Sequence, residues 1–367
     1  MKKLLLASVA VSGLAFAAPA HASEFDLTVG GYFKGYGAFV NQDTANNADT
    51  ASVDILRDTE IHIGLETTLD NGLTVGAWIE LEADATDGAT TANESYAYFS
   101  GDWGRVNFGY EDGAAYLLQV AAPSADSNID GIRQYIQPFV TSGNMDGVRL
   151  DYDMVTGNGK NDKLSYLSPI ISGFQFGASF TPDSTGAAGD LGGVFNDTDT
   201  TLADTANVIN ETYEIAARYE GQVQNVGVIV GAGYSHGSQE NTDTAIDNRK
   251  AWNIGLDLDI GPFGVGASYS EDNNAEDGTG VNAGDNEIFV VGVDYTTGAF
   301  KLGASYYNND DKSTNGVEYD RYTAGVTYEY GPGMTFRGSI QQLDVDNVIG
   351  TNSANGTAVL LGTQVNF

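Results

Sequence analysis

The stretch GLTVGAWIELEADA, beginning at Gly72, alternates with a period of two. Leu73, Val75, Ala77, Ile79 and Leu81 fall on one face and Thr74, Gly76, Trp78, Glu80 and Glu82 on the other, the pattern of a strand with one apolar and one polar side. In WGRVNFGYE, Val106, Phe108 and Tyr110 oppose Arg105, Asn107 and Gly109. In GFQFGASFTP, Phe174, Phe176 and Phe180 oppose Gln175, Gly177 and Ser179. In AWNIGLDLDI, Trp252, Ile254, Leu256 and Leu258 oppose Asn253, Gly255, Asp257 and Asp259. A chain built this way must hide one strand face and wet the other.

The breaks between such stretches alternate in kind. Short ones, such as Asp70-Asn71-Gly72, Gly101 to Gly104, Ser172-Gly173, Gly221 to Asn225, Gly261-Pro262, Thr297-Gly298 and Gly331-Pro332-Gly333, are mostly hairpin turns. Long ones, at 41–51, 86–92, 112–161, 183–207, 239–246, 274–284, 312–315 and 347–355, are mostly rich in Asp, Asn, Thr and Gly. Seven tight hairpins supply fourteen strands, and unpaired strands at about 27–40 and 356–367 bring the count to sixteen. An even number with both ends on the short-turn side predicts a closed antiparallel barrel. Strands of about 12 residues, rising roughly 3.3 Å each and tilted near 45°, span about 28 Å, close to the apolar band of an outer membrane.

That architecture explains why the chain ends on GTAVLLGTQVNF, with Val359, Leu361, Val365 and Phe367 in alternation. An open edge cannot sit in lipid, so the last strand closes on the first, and Phe367 falls in an interfacial aromatic girdle. A soluble β-sandwich would alternate too, but it would bury its inner face. Here that face carries Lys34, Glu80, Arg105, Arg218, Lys301, Arg321 and Arg337 near strand centres, which suits a watery lumen and is costly in a packed core.

The N-terminus fits the same setting. Lys2 and Lys3, an apolar run from Leu4 to Ala18 and Ala20-His21-Ala22 read as a signal peptide over residues 1–22, leaving residues 23–367 as one barrel domain. About 15 apolar residues fall short of the roughly 20 that a spanning helix needs. Cleavage removes two of the 16 basic residues and none of the 50 acidic ones, for a mature charge of -36. That balance disfavours nucleic acid as a partner. Cysteine is absent, which excludes disulfides and thiol chemistry.

One connection is far longer than the rest. The first half of 112–161 carries Tyr116, Leu117, Leu118, Val120, Ile129, Ile132, Tyr135, Ile136 and Phe139, too many apolar residues for a solvated loop. Folding inward would pack them on the wall and narrow the channel; an outward lid or a subunit contact is the alternative.

At this point DNGLTVGAWIELEADA, NESYAYFSGDWGRVNFGYEDG and DKLSYLSPIISGFQFGASFTP together resemble the general porins of Gram-negative outer membranes, most closely the alphaproteobacterial type. The resemblance covers nearly the whole mature chain. It implies a homotrimer set in outer-membrane lipid and lipopolysaccharide, assembled by the barrel-assembly machinery with Phe367 as the signal. It also implies a constriction where loop carboxylates, drawn from Glu111, Asp112, Asp126, Asp130 and Asp146, face a basic wall of Lys34, Arg57 and Arg105, with Lys163. His62 and Tyr96 stand where related porins often carry arginines, and with Glu80 they complete the wall, so the pore should be acidic. Gly31, Gly35 and Gly37, small and outward on the first strand, would permit close contact between barrels.

The function that follows is passive diffusion of small hydrophilic solutes. Charges lining an opening less than roughly 16 Å wide influence all of it, since the Debye length is about 8 Å. The acid excess therefore predicts cation selectivity. No cofactor is expected, although the acidic segment 271–287 has the donors for a calcium ion without any EF-hand spacing. His62 and His236 lie beside no Ser or Cys motif and beside no further metal ligand in sequence, so no enzyme is expected. A substrate-specific channel, an adhesin or a barrel enzyme remain the alternative readings.

Overall fold

The computed structural model describes residues 25–43, 51–83, 92–126, 136–139, 160–182, 209–239, 248–273, 285–312, 316–346 and 353–367. The expected signal segment lies outside them. Sixteen strands follow in order: β1 Asp26–Gln42, β2 Val53–Thr68, β3 Thr74–Glu82, β4 Ala92–Gly101, β5 Gly104–Glu111, β6 Asn161–Leu167, β7 Phe174–Thr181, β8 Ile209–Val223, β9 Val226–Gln239, β10 Arg249–Ile260, β11 Phe263–Asp272, β12 Asn286–Thr297, β13 Phe300–Asp311, β14 Val317–Gly331, β15 Met334–Asp346 and β16 Ser353–Asn366. One short helix, α1 at Ala114–Leu117, lies between β5 and β6.

Each strand pairs antiparallel with its neighbour in the chain, and β16 pairs with β1 to close the barrel. The seam runs from Gln42 opposite Gly356 to Tyr32 opposite Asn366. It extends one residue further, because the Gly31 N–H donates to the Phe367 carbonyl at 2.9 Å and the Phe367 N–H returns to the Gly31 carbonyl at 3.1 Å. The terminal residue therefore completes the ladder rather than fraying. At the same end of the barrel, Gly261 and Gly298 turn their hairpins at φ 62° and 56°, with open space where a Cβ would stand. Backbone conformation, not crowding, calls for glycine at those two turns.

The apolar parity faces out. Phe176, Ile215, Ile254, Leu256, Val293, Leu302 and Ile340 are exposed along the strands, as lipid contact requires. Aromatic pairs mark two levels. Phe174 and Tyr219, Phe263 and Tyr295, and Phe300 and Tyr328 have ring centroids 4.7, 4.9 and 4.8 Å apart near the short turns. Phe180 with Tyr213 and Trp252 with Tyr269 stand 4.9 and 5.2 Å apart near the long loops. The girdle near the short turns includes the level of Phe367, whose side chain is exposed.

The wall is uneven in height. β1, β2, β8 and β14 run 15 to 17 residues, whereas β5, β6 and β7 run 7 or 8. The long loop leaves from the low side, after Glu111, and returns there at Lys160.

Candidate functional site

A barrel of sixteen strands is wide enough to hold a water-filled lumen, and the described part of the long loop lies inside it. The α1 helix is held by three wall side chains. The Ala114 N–H donates to Ser179 Oγ and the Ala115 N–H to Glu214 Oε2, both at 3.1 Å, and Asn253 Nδ2 donates to the Ala115 carbonyl at 3.3 Å. Leu118 and Val120 then lie buried against the wall, as do Ile136 and Phe139 after the next stretch. Tyr116 and Leu117 are half-buried, while Ile129, Ile132 and Tyr135 lie outside the described residues.

What lets a loop lie flat on a β-wall is the absence of side chains beneath it. Lumen-facing glycines occur on strand after strand along its path: Gly177 on β7, Gly231 and Gly233 on β9, Gly255 on β10, Gly266 on β11, Gly292 on β12, Gly303 on β13 and Gly325 on β14. The pairings Gly231 with Gly255, Gly266 with Gly292 and Gly303 with Gly325 join several of them into one groove. A Cβ on Gly255 would stand 1.8 Å from the Val120 carbonyl oxygen, one on Gly292 2.3 Å from that of Pro123, and one on Gly231 2.8 Å from that of Leu118. Glycine there is a matter of close approach. Sequence reading registered these residues only as part of the polar parity; the signal was a glycine recurring on that face of successive strands.

The first described stretch of the loop ends at Asp126, a buried carboxylate that accepts 2.8 Å from the Tyr36 hydroxyl on β1. Thr327 Oγ1 on β14 also donates to the Ala125 carbonyl. Among the described residues the loop lies along β7 to β14 and reaches β1 through Asp126 and Ile136, while the wall of β2 to β4 carries a cluster of charges on its inward side chains.

That wall is acidic. Asp58 and Glu60 on β2, Glu80 and Glu82 on β3 and Glu94 on β4 share the inward face, through the pairs Glu60 with Glu82, His62 with Glu80, and Glu80 with Glu94. His62 Nε2 lies 2.9 Å from Glu60 Oε2 and 3.9 Å from Glu80 Oε1. Lys160 reaches in from the loop's return point, with Nζ 3.0 Å from Glu94 Oε1, 3.7 Å from Asp112 Oδ2 and 3.9 Å from Glu80 Oε2. It thus ties both ends of the loop to the wall. Sequence reading named Glu80 and His62 here and passed over Asp58, Glu60, Glu82, Glu94 and Lys160. The period-two parity already placed Glu60 and Glu82 on the face of His62 and Glu80.

The expected loop acids separate into three situations. Glu111 is buried at the end of β5 and accepts 2.7 Å from Asn107 Nδ2, Asp112 sits beside Lys160, and Asp126 is bound by Tyr36. Asp130 and Asp146 lie outside the described residues. The expected bases also divide. Lys34 lies 3.8 Å from Asp58 and 4.3 Å from the centre of the Tyr32 ring. Lys163 is buried and donates to the Glu111 carbonyl. Arg105 stacks 3.9 Å over the Tyr98 ring, donates to Asn107 Oδ1 at 2.6 Å and reaches the Tyr96 hydroxyl at 3.5 Å.

Arg57 is not part of this wall. It pairs across the strands with Gly35, one residue out of step with the inward pair of Lys34 and Asp58, and its side chain is exposed on the outer face. A one-residue offset on a strand reverses the face, and that offset corrects the placement. Arg337, paired with the lumen-facing Thr327, and Arg321, buried 4.7 Å over the Tyr307 ring, are wall cations on the inward parity expected of them.

A closed transmembrane β-barrel with a loop folded along the inside of a charged lumen defines the class of barrel pores. The pattern of the family described as Gram-negative porin matches residues 6–348, so the chain belongs to that family. No curated protein matches it in sequence. Among solved structures it is similar to an anion-selective porin from Comamonas acidovorans, with a TM-score of 0.66 and 16% identity over 94% of this chain and 100% of that one. A porin refined at 1.8 Å resolution gives a TM-score of 0.59 at 20% identity, covering 93% and 100% of the two chains. A mutant of Rh. blastica porin gives 0.56 at 17% identity with the same coverage.

Proposed function

We propose that this chain forms a trimeric, cation-preferring diffusion pore of the outer membrane, passing small hydrophilic solutes and ions down their gradients. The observation that carries the reading is the loop from Asp112 to Asp126 lying inside the closed barrel opposite the carboxylates of β2, β3 and β4. Solute size is then set by the space between loop and wall, and charge preference by the side chains around it. Three of the nearby lysines are already engaged: Lys34 with Asp58, Lys160 with Glu94 and Lys163 with the Glu111 carbonyl. The acids outweigh what remains.

Outer-membrane lipid and lipopolysaccharide surround the apolar belt, and Phe367 serves the barrel-assembly machinery as a terminal signal. Transport needs no cofactor and involves no catalysis. The acidic segment 271–287, of which 274–284 lie outside the described residues, is proposed to bind divalent ions only nonspecifically, since Asp272 and Glu287 at its ends are already paired with Arg249 and Lys312.

One observation favours a second reading, a substrate-specific channel. Tyr32, Trp78, Tyr96 and Tyr98 face the lumen on the same wall and could stack a sugar, although Arg105 already covers Tyr98. Planar-bilayer recording of the mature protein under a tenfold KCl gradient tests both. Large ohmic steps in threes with a cation-selective reversal potential fit the general pore. Saturable block of the current by a sugar fits the specific channel. A folded preparation that conducts nothing contradicts both.

A further inference from the structure

We propose that Glu60, His62 and Glu80 form a binding site for a divalent transition-metal ion on the pore wall, Zn2+ being the simplest probe. The three side chains are placed by rigid elements. Glu60 and His62 are two residues apart on β2 and so share a face, and His62 is the cross-strand partner of Glu80. Their donor atoms, one imidazole nitrogen and two carboxylate oxygens, all lie within 4.8 Å of one another.

The distances suit a metal. Zn–N and Zn–O bonds of about 2.0 to 2.2 Å in tetrahedral geometry set neighbouring donors about 3.3 Å apart. The separations from His62 Nε2 are 2.9 Å to Glu60 Oε2 and 3.9 Å to Glu80 Oε1, so shifts of well under an ångström bring these two pairs to that spacing, and the two carboxylate oxygens lie within 4.8 Å of each other. Glu60 is oriented from behind: Asn93 Nδ2 donates to its Oε1 at 3.0 Å and leaves Oε2 for the ion. Glu80 is held by Trp78 Nε1, which donates to Oε1 at 2.8 Å, and Oε1 keeps a second lone pair for the ion. Such outer partners fix ligand direction in metal sites. Glu60 is buried, whereas His62 and Glu80 are only partly covered, so the remaining coordination positions open to lumen water.

The imidazole separates this group from an ordinary acidic wall. Asp58, Glu60 and Glu82 also converge, but they offer oxygen alone, so they receive no assignment. A nitrogen donor shifts preference from calcium and magnesium toward zinc, nickel and copper. An ion held there would neutralise two wall carboxylates and reduce the pore's preference for cations.

Calorimetric titration of the folded, chelator-treated protein with ZnCl2 tests the site. Saturable binding is expected, with affinity falling by more than about tenfold in His62→Ala, while Ca2+ titrations of the two proteins coincide. Glu80→Gln supplies the same comparison through a second ligand if His62→Ala does not fold. Absence of saturable Zn2+ binding, or equal affinity in the wild type and both variants, overturns the proposal. The conductance of metal-free wild-type protein is a separate result, so failure of the metal site leaves the pore reading standing.

Discussion

A Cβ on Gly255 would stand 1.8 Å from the carbonyl oxygen of Val120, so β10 and the long loop touch backbone to backbone. The loop is thus seated by what the wall lacks. Gly255→Val should lift it from the groove, at a cost of about 1–3 kcal/mol of overpacking. The barrel should still close, because β9, β10 and β11 keep their ladders. Liposome-swelling rates should change most for the largest permeant sugars, and unchanged size exclusion would count against the seating argument.

Tyr36→Phe removes the hydroxyl that Asp126 accepts, leaving a buried carboxylate with one donor fewer. A loss of about 1–3 kcal/mol is expected for a buried polar group deprived of a partner. Tyr36 lies on β1 and Asp126 in the loop, so the loss should appear as increased proteolysis of the loop before the barrel itself unfolds. Equal protease resistance in both proteins would show that the bond does not hold the loop.

Lys160 carries a pH prediction. Burial works against its ammonium, but Asp112, Glu94 and Glu80 outweigh that effect and raise its pKa above the ordinary lysine value. A raised folded pKa gives stability that is fully present below the unfolded value of about 10.4 and is lost as pH rises through the folded one. Lys160→Met should therefore melt below the wild type at neutral pH, and the difference should shrink as the pH rises above about 10. The same variant should show a higher cation-to-anion permeability ratio in bilayers.

Phe367 has two separable roles. Its backbone bonds to Gly31 close the seam, and its exposed side chain is free to act as a signal. Phe367→Ala keeps the bonds and should lower assembly in cells while leaving the heat stability of refolded protein nearly unchanged. Deleting the residue removes both bonds and should lower both quantities. Normal outer-membrane levels of Phe367→Ala would exclude the signalling role.

The sequence by itself determined the barrel. Period-two alternation sorts each side chain to lipid or lumen, and turn residues such as Asp70-Asn71-Gly72 and Gly331-Pro332-Gly333 count the strands, because both signals are local. It also determined that the apolar residues around Leu118 and Val120 needed cover. Tertiary structure alone decided where that cover lies. The groove exists because Gly231, Gly255, Gly266, Gly292, Gly303 and Gly325 come into line through inter-strand register, and register is a relation between segments far apart in the chain. The same holds for charge. Glu60, His62 and Glu80 meet because β2 and β3 pair at one particular offset, and an offset one residue away turns Arg57 out of the lumen.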